Sequence, residues 1–184
     1  RPEIVSYRER VMDEITAYQL VSMLQGAVER GTGARYIDLP VPTAGKTGTT
    51  NEARDVWFIG FTSNIVAGCY IGYDVPTPLG RGWFGGSTCG PVFQRFMEKA
   101  VEKYGGGQFV VPNGGQFINM DRFTGARLPE DAEGDNVVAE YFRIGDEPVF
   151  GVSMTDSFAM GSNLKSEAVL AEEAAEAAEA AAAA

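Results

Sequence analysis

Apolar positions along the chain follow two periods, and their order outlines a fold. From Ile15 to Arg30 they recur at three- and four-residue spacing, at Ile15, Tyr18, Val21, Leu24 and Val28. That period predicts an amphipathic helix. Asp13 is placed to cap its start by accepting from free backbone N–H groups, and Gly31 to close its end. Gly31-Thr32-Gly33, Pro40 and Pro42 then break regularity over a loop of about nine residues. Three strand-like runs follow, Val41–Thr50, Asp55–Thr62 and Asn64–Tyr73. The first is rich in Thr and small residues. The other two are aromatic and β-branched, with Ser63-Asn64 as a tight turn between them. Such short connections predict an antiparallel meander. Its apolar residues lie on both faces, so both faces require cover.

A second helix is expected to supply part of that cover. Gly85-Gly86-Ser87-Thr88 ends a Gly- and Pro-rich loop, and Ser87 or Thr88 is suited to cap a helix with Pro91 in its first turn. Val92, Phe93, Phe96, Met97, Ala100 and Val101 form its apolar stripe, which ends at Gly105. Beyond it, Phe109-Val110-Val111-Pro112, Phe117–Asp121 and Asp121–Gly125 read as short strands and a turn. They predict a loosely packed, β-rich extension reaching about Gly151. From Ser166 onward Ala and Glu dominate, apart from Val169 and Leu170. That composition favours helix but offers little apolar face to bury, so a solvated, frayed or disordered tail is expected. The expected architecture is α+β, an antiparallel sheet covered by helices. Its segments are residues 1–105, an extension over 106–160 and a low-complexity tail over 161–184.

Composition changes this picture in a few places. The 184 residues are 45% hydrophobic and 22% charged, ordinary values for a folded domain or most of one. Net charge is −10, which argues against a nucleic-acid or anionic-membrane surface, although part of it sits in the tail. The chain has no histidine. Ser-His-Asp and Cys-His catalysis within it are therefore excluded, as are nearly all catalytic zinc sites, and no metal or other cofactor is expected. Cys69 and Cys89 are too few and too far apart for a metal framework. Cys69 falls within a predicted strand and Cys89 at the start of the covering helix, so the two thiols either approach each other or are simply buried. The chain opens Arg1-Pro2-Glu3 and contains no apolar run long enough to cross a bilayer. We read it as an internal or C-terminal fragment of a longer protein, with no membrane contact of its own.

Candidate chemistry concentrates at Gly45-Lys46-Thr47-Gly48-Thr49-Thr50. On a strand, Thr47 and Thr49 share one face, and Gly48 leaves the backbone open to a ligand. Hydroxyls and exposed N–H groups can hold a carboxylate, while Lys46 adds positive potential. The tripeptide Lys-Thr-Gly alone is weak support, since a strand end with a surface lysine and β-favouring threonines looks the same. After it, Asn51, Glu52, Arg54 and Asp55 are placed to line a cleft rim or to form a surface pair, Arg54–Asp55 or Glu52–Arg54. Trp57 and Phe58 are expected in the core.

Flanking segments carry more information. Ile15-Thr16-Ala17-Tyr18, Ser22 through Gly33, Gly45 through Asn51, Asp55 through Thr62, Ile71-Gly72-Tyr73-Asp74, Gly85-Gly86, Pro91-Val92-Phe93 and Asp121…Thr124-Gly125 occur in one order. Together, from Val11 to Pro148, they resemble the C-terminal half of the transpeptidase domain of class A penicillin-binding proteins. The resemblance implies a partial penicillin-binding/serine β-lactamase-like fold and a serine acyltransferase of the Ser-Lys type. In that family a serine attacks the penultimate D-Ala carbonyl of a peptidoglycan stem peptide, a neighbouring stem amine resolves the acyl-enzyme, and β-lactams acylate the same serine. Carried onto this sequence, Lys46 would hydrogen-bond the serine of a second motif. Thr47 and Thr49 would bind the terminal carboxylate, Gly48 would keep the strand open, and the Thr49 N–H would form half of an oxyanion hole. The implied setting is the periplasmic face of a bacterial inner membrane, in a parent that is also a peptidoglycan glycosyltransferase.

The implied nucleophile motif, Ser-x-x-Lys, and the proton-relay motif, Ser-x-Asn, belong upstream of the Lys-Thr-Gly strand. No Ser-x-Asn occurs in the chain, and the one literal Ser-x-x-Lys, Ser162-Asn163-Leu164-Lys165, follows the strand and lacks the periodicity of a buried helix. The partner expected is therefore the remainder of the same penicillin-binding protein, with this chain inactive alone. Competing readings are a β-lactamase relative, disfavoured by the extension after Gly105 and by the Trp57-Phe58 strand, and a non-catalytic module that holds a carboxylate-terminated peptide.

Overall fold

A computed structural model of the chain describes residues 9–150. Helix α1 runs from Glu14 to Glu29, and Asp13 starts it as expected. The Asp13 carboxylate accepts from the backbone N–H groups of Ile15 and Thr16, at 3.1 and 3.2 Å, and from the Thr16 hydroxyl. It also takes a 2.7 Å bond from the Arg143 guanidinium. The two bonds from Thr16 foremost, and then the Arg143 guanidinium, hold the Asp13 pKa down to about 2. The exit differs from expectation. Gly31 is not left-handed; the chain winds on through turns to Tyr36, and the Gly33 N–H donates to the Ala27 carbonyl at 3.0 Å.

The chain divides into two compact units. One is Leu20–Val111; the other joins Arg1–Gln19 to Pro112–Ala184 and is described over residues 9–19 and 112–150. The first holds the predicted meander, with β1 (Ala44–Thr49), β2 (Asp55–Phe61) and β3 (Val66–Gly72) antiparallel in that order. Each strand is shorter than its apolar run. The Ser63-Asn64 turn is closed by the Thr62 N–H donating to the Ile65 carbonyl at 2.8 Å. Register sets Thr47 opposite Phe58 opposite Cys69, and Gly48 opposite Trp57 opposite Tyr70.

Helix α2 (Gly85–Tyr104) covers the face that carries Val56 and Phe58. Val56, Phe58, Cys89 and Met97 are fully buried there, and the Phe58 and Phe93 rings lie 4.7 Å apart. Cys69 of β3 and Cys89 of α2 form a disulfide, Cα–Cα 5.4 Å, which resolves the open question of the two thiols. Closing a loop of this size is worth about 3 kcal/mol in the chain-entropy account. Gly105, left-handed at φ 71, closes α2 as its stripe predicts. The start does not follow prediction: α2 begins at Gly85, neither Ser87 nor Thr88 caps it, and Pro91 lies inside the helix. Ser87 instead turns its hydroxyl back to the Phe84 carbonyl, 3.3 Å away. The opposite sheet face is uncovered among the described residues, leaving Trp57, Ile59 and Tyr70 at 41%, 49% and 50% exposure. Trp57 is therefore not the core residue its sequence suggests.

In the second unit, β4 (Gly115–Asp121) pairs antiparallel with β5 (Val137–Arg143) as a two-stranded sheet. Tyr18, Phe117 and Tyr141 pack edge-on around it at 5.1 to 6.2 Å between centroids. The turn at Asp121 is as predicted, its carboxylate accepting from the backbone N–H groups of Phe123 and Thr124. Phe109–Pro112, by contrast, pairs with no strand among the described residues, whereas β5 is a strand that the sequence pattern does not predict. Ser162–Lys165 and the Ala/Glu tail lie outside the described residues.

Two outcomes follow from this packing. Phe58→Ala should destabilise the domain by about 3–5 kcal/mol, read from the urea midpoint, because it empties the centre of the sheet–helix core. The depressed Asp13 pKa stabilises the native cap above the ordinary carboxylate range, and that contribution fades as pH falls through about 4 towards 2. Amide exchange at the start of α1, corrected for intrinsic rates, should therefore be faster in Asp13→Asn than in the parent sequence at pH 5 and converge with it near pH 2.

Candidate functional site

Strand β1 lies at one edge of its sheet among the described residues. In an antiparallel pair only alternate residues exchange backbone bonds with the partner. The Thr50 N–H donates to the Asp55 carbonyl at 3.1 Å, which fixes the phase. Lys46, Gly48 and Thr50 therefore direct their N–H and C=O groups to β2. Thr47 and Thr49 direct theirs to the open edge. The Thr49 N–H is thus presented outward, as an oxyanion donor needs to be.

Side chains obey the other alternation. Thr47 and Thr49 point to the α2 side of the sheet, level with Phe58 and Val56, and Lys46 points to the opposite face beside Ile59. The Thr49 hydroxyl oxygen accepts from the Gly85 N–H, the first residue of α2, at 3.1 Å. The Thr47 hydroxyl lies 3.0 Å from that of Thr32, in the turn after α1. Lys46 curls over the strand so that its Nζ donates to the outward-facing Thr47 carbonyl at 2.9 Å. No carboxylate among the described residues pairs with it. Its charge is available at the edge.

Thr47 and Thr49 open onto a cavity of about 340 Å³, whose wall also includes Thr32, Arg35, Tyr36 and the first residues of α2. Arg35 is exposed and takes no ion pair among the described residues, so the cavity has a cationic wall. Hydroxyls, an outward N–H and two unpaired cations favour an anionic ligand, and a carboxylate fits donors of this kind. Sequence reasoning identified Lys46, Thr47, Gly48 and Thr49, and the fold gathers them on one short edge. It missed Thr32, Arg35 and Gly85. Arg35 stands in the Gly31–Tyr36 turn, where the sequence signals only a break in regularity, and Gly85 contributes a backbone group that no side-chain pattern reveals.

The turn after the strand is a shallower feature. Asn51–Ala53 forms a short 3-10 turn in which Glu52 and Ala53 are left-handed, at φ 61 and 48. Of the two pairings expected there, Glu52–Arg54 is the one formed, at 2.6 Å and exposed. Asp55 keeps one buried carboxylate oxygen without a hydrogen-bond partner among the described residues.

A three-stranded antiparallel sheet with a Lys-Thr-Gly edge, backed by a helix and preceded by another, is a recognisable arrangement. The chain belongs to the penicillin-binding protein transpeptidase domain family, whose model matches residues 2–98. Among individual proteins it is 42% identical over 137 residues to penicillin-binding protein 1A of Rickettsia typhi, covering 74% of this chain and 17% of that protein. It is 37% identical over 141 residues to penicillin-binding protein 1A of Pseudomonas aeruginosa, covering 76% and 17%. A crystal structure of penicillin-binding protein 1A from Haemophilus influenzae superposes with TM-score 0.66 at 30% identity, over 79% of this chain and 22% of that one. The expected α+β transpeptidase fold is therefore present, and the chain spans about 17% of the length of the curated relatives it matches.

Proposed function

We propose that this chain is the substrate-binding half of a peptidoglycan DD-transpeptidase that cross-links stem peptides through a serine acyl-enzyme. The observation that carries the reading is the β1 edge, which offers two hydroxyls, the outward Thr49 N–H and the Lys46 ammonium within one strand. In the proposed mechanism Thr47 and Thr49 hold the terminal carboxylate of a D-Ala-D-Ala stem or of a β-lactam. Gly48 adds no side chain between them. The Thr49 N–H stabilises the oxyanion that develops at the attacked carbonyl, worth roughly 3 kcal/mol for one such donor. Lys46 biases the local charge and bonds the serine of a Ser-x-Asn motif. Both that serine and the Ser-x-x-Lys nucleophile would come from the remainder of the same protein.

The exposed Trp57, Ile59 and Tyr70 support the need for that remainder, because contiguous apolar surface on a sheet face favours a covering element. We propose further that the parent also carries a peptidoglycan glycosyltransferase and works at the periplasmic face of the inner membrane. The Cys69–Cys89 disulfide supports an oxidising compartment. Residues 1–105 would then be the end of the transpeptidase domain and 106–160 an appended extension.

A penicillin carrying a fluorophore tests the reading. Covalent labelling is expected on a full-length protein containing this chain and not on the chain alone; labelling of the isolated chain would overturn it. In the full-length protein, Thr49→Val removes one hydrogen bond to a charged group, worth about 1.5–3 kcal/mol, so the acylation rate constant should fall about 10- to 150-fold.

A further inference from the structure

Thr49 differs from Thr47 in what engages its hydroxyl: a backbone N–H, which can only donate, where Thr47 meets another hydroxyl. The Gly85 N–H donates to its Oγ1 at 3.1 Å. A hydroxyl has one proton to give and two lone pairs to receive with. With one lone pair taken by an N–H, the hydroxyl proton is left to donate elsewhere, as a carboxylate requires. The contact serves α2 as well. The helix has no side-chain cap of its own at Phe84, so Thr49, remote in sequence, satisfies its first N–H.

Gly85 is held in that place from two sides. It is buried against the strand pair, where a Cβ would lie 2.5 Å from the Gly48 carbonyl oxygen and collide with that of Trp57. Any larger residue must lift the helix start away from β1. One helical turn further along, Cys89 ties the same segment to Cys69 on the far strand, β3. The first turn of α2 thus spans the sheet, disulfide-linked to β3 at one end and hydrogen-bonded to the ligand-facing hydroxyl of β1 at the other.

We propose that this turn is a positioning device for substrate binding, in which Gly85 orients the Thr49 hydroxyl as a donor and the Cys69–Cys89 disulfide fixes the helix that carries Gly85. The proposal rests on the reading of Thr49 as a carboxylate-binding residue. Gly85 is a positioning residue, acting on ligand only through Thr49. The disulfide acts on ligand through Gly85 in turn.

The test uses the full-length protein and acylation by fluorescent penicillin, with Gly85→Ala and the double replacement Cys69→Ala/Cys89→Ala, each made alone and together with Thr49→Val. Alone, each is expected to slow acylation by about 10-fold, the scale of a small displacement of a binding group. Combined with Thr49→Val, neither should add more than about 2-fold, because the group through which it acts is gone. Losses that multiply in the Thr49→Val background would show general damage to the fold and overturn the proposal. So would an unchanged rate in the cysteine-free variant, which remains informative should Gly85→Ala fail to fold. If Thr49→Val itself leaves acylation unchanged, the carboxylate reading of Thr49 fails and this proposal with it; slow Thr49→Val with fast Gly85→Ala sinks the positioning role alone. Thr49→Ser, which keeps the hydroxyl, should restore both the rate and its sensitivity to Gly85→Ala.

Discussion

Among the described residues strand β1 has a partner on one side only, and that asymmetry organises the sheet and its edge. An antiparallel ladder with β2 engages the backbone of Lys46, Gly48 and Thr50 and leaves that of Thr47 and Thr49 facing outward. The side-chain alternation of the same strand sends Thr47 and Thr49 towards α2 and the Lys46 stem to the other face. A Lys-Thr-Gly-Thr run thereby presents hydroxyls, N–H and ammonium at a single edge without a dedicated loop. If β1 were an inner strand, its outward N–H groups would be consumed by a neighbour and none of this chemistry would be available.

Holding such an edge strand still requires rigidity from behind. Phe58 and Val56 sit opposite Thr47 and Thr49 in register and are buried against Phe93 and Met97 of α2. Core and clamp are thus alternate consequences of one packing event, since the residues that pin β2 to the helix also set the height of β1. The disulfide adds to this by restricting the unfolded chain and by tying β3 to the same helix. Stability and site geometry are coupled here.

Legibility in the sequence followed the locality of the physics. Helix α1 and its Asp13 cap were readable because a carboxylate two or three residues from free N–H groups is a local arrangement. The meander was readable because its turns are short and its strands apolar. The start of α2 was misplaced by the rule that a helix is capped by its own neighbouring hydroxyl; here the acceptor comes from Thr49, a strand away. Phe109-Val110-Val111 has strand-like residues but no partner strand among the described residues, and propensity without a ladder does not make a sheet. The sequence suggests a core place for both Trp57 and Phe58, yet the strand period sets Trp57 on the face opposite Phe58. The four strand residues that the sequence singles out do lie together on one edge, while the residues packed beside them carry no sequence signal. Arg35 and Gly85 reach the cavity through chain reversals whose outcome no spacing rule contains.

The uncovered face bears on what kind of object this chain is. The Trp57 and Tyr70 rings lie 4.6 Å apart, tilted by 51° and about half exposed, and Ile59 lies beside them, opposite a glycine of β3 that leaves it unshielded. Lys46 emerges on that same face before turning to the edge. An element packing over Trp57, Ile59 and Tyr70 would therefore meet the Lys46 stem at its margin and the Thr49 N–H just beyond. On the proposed function, covering the apolar face and bringing a serine to the clamp are one geometric act. The apolar surface supplies the driving force for docking, and the edge supplies the chemistry that docking completes.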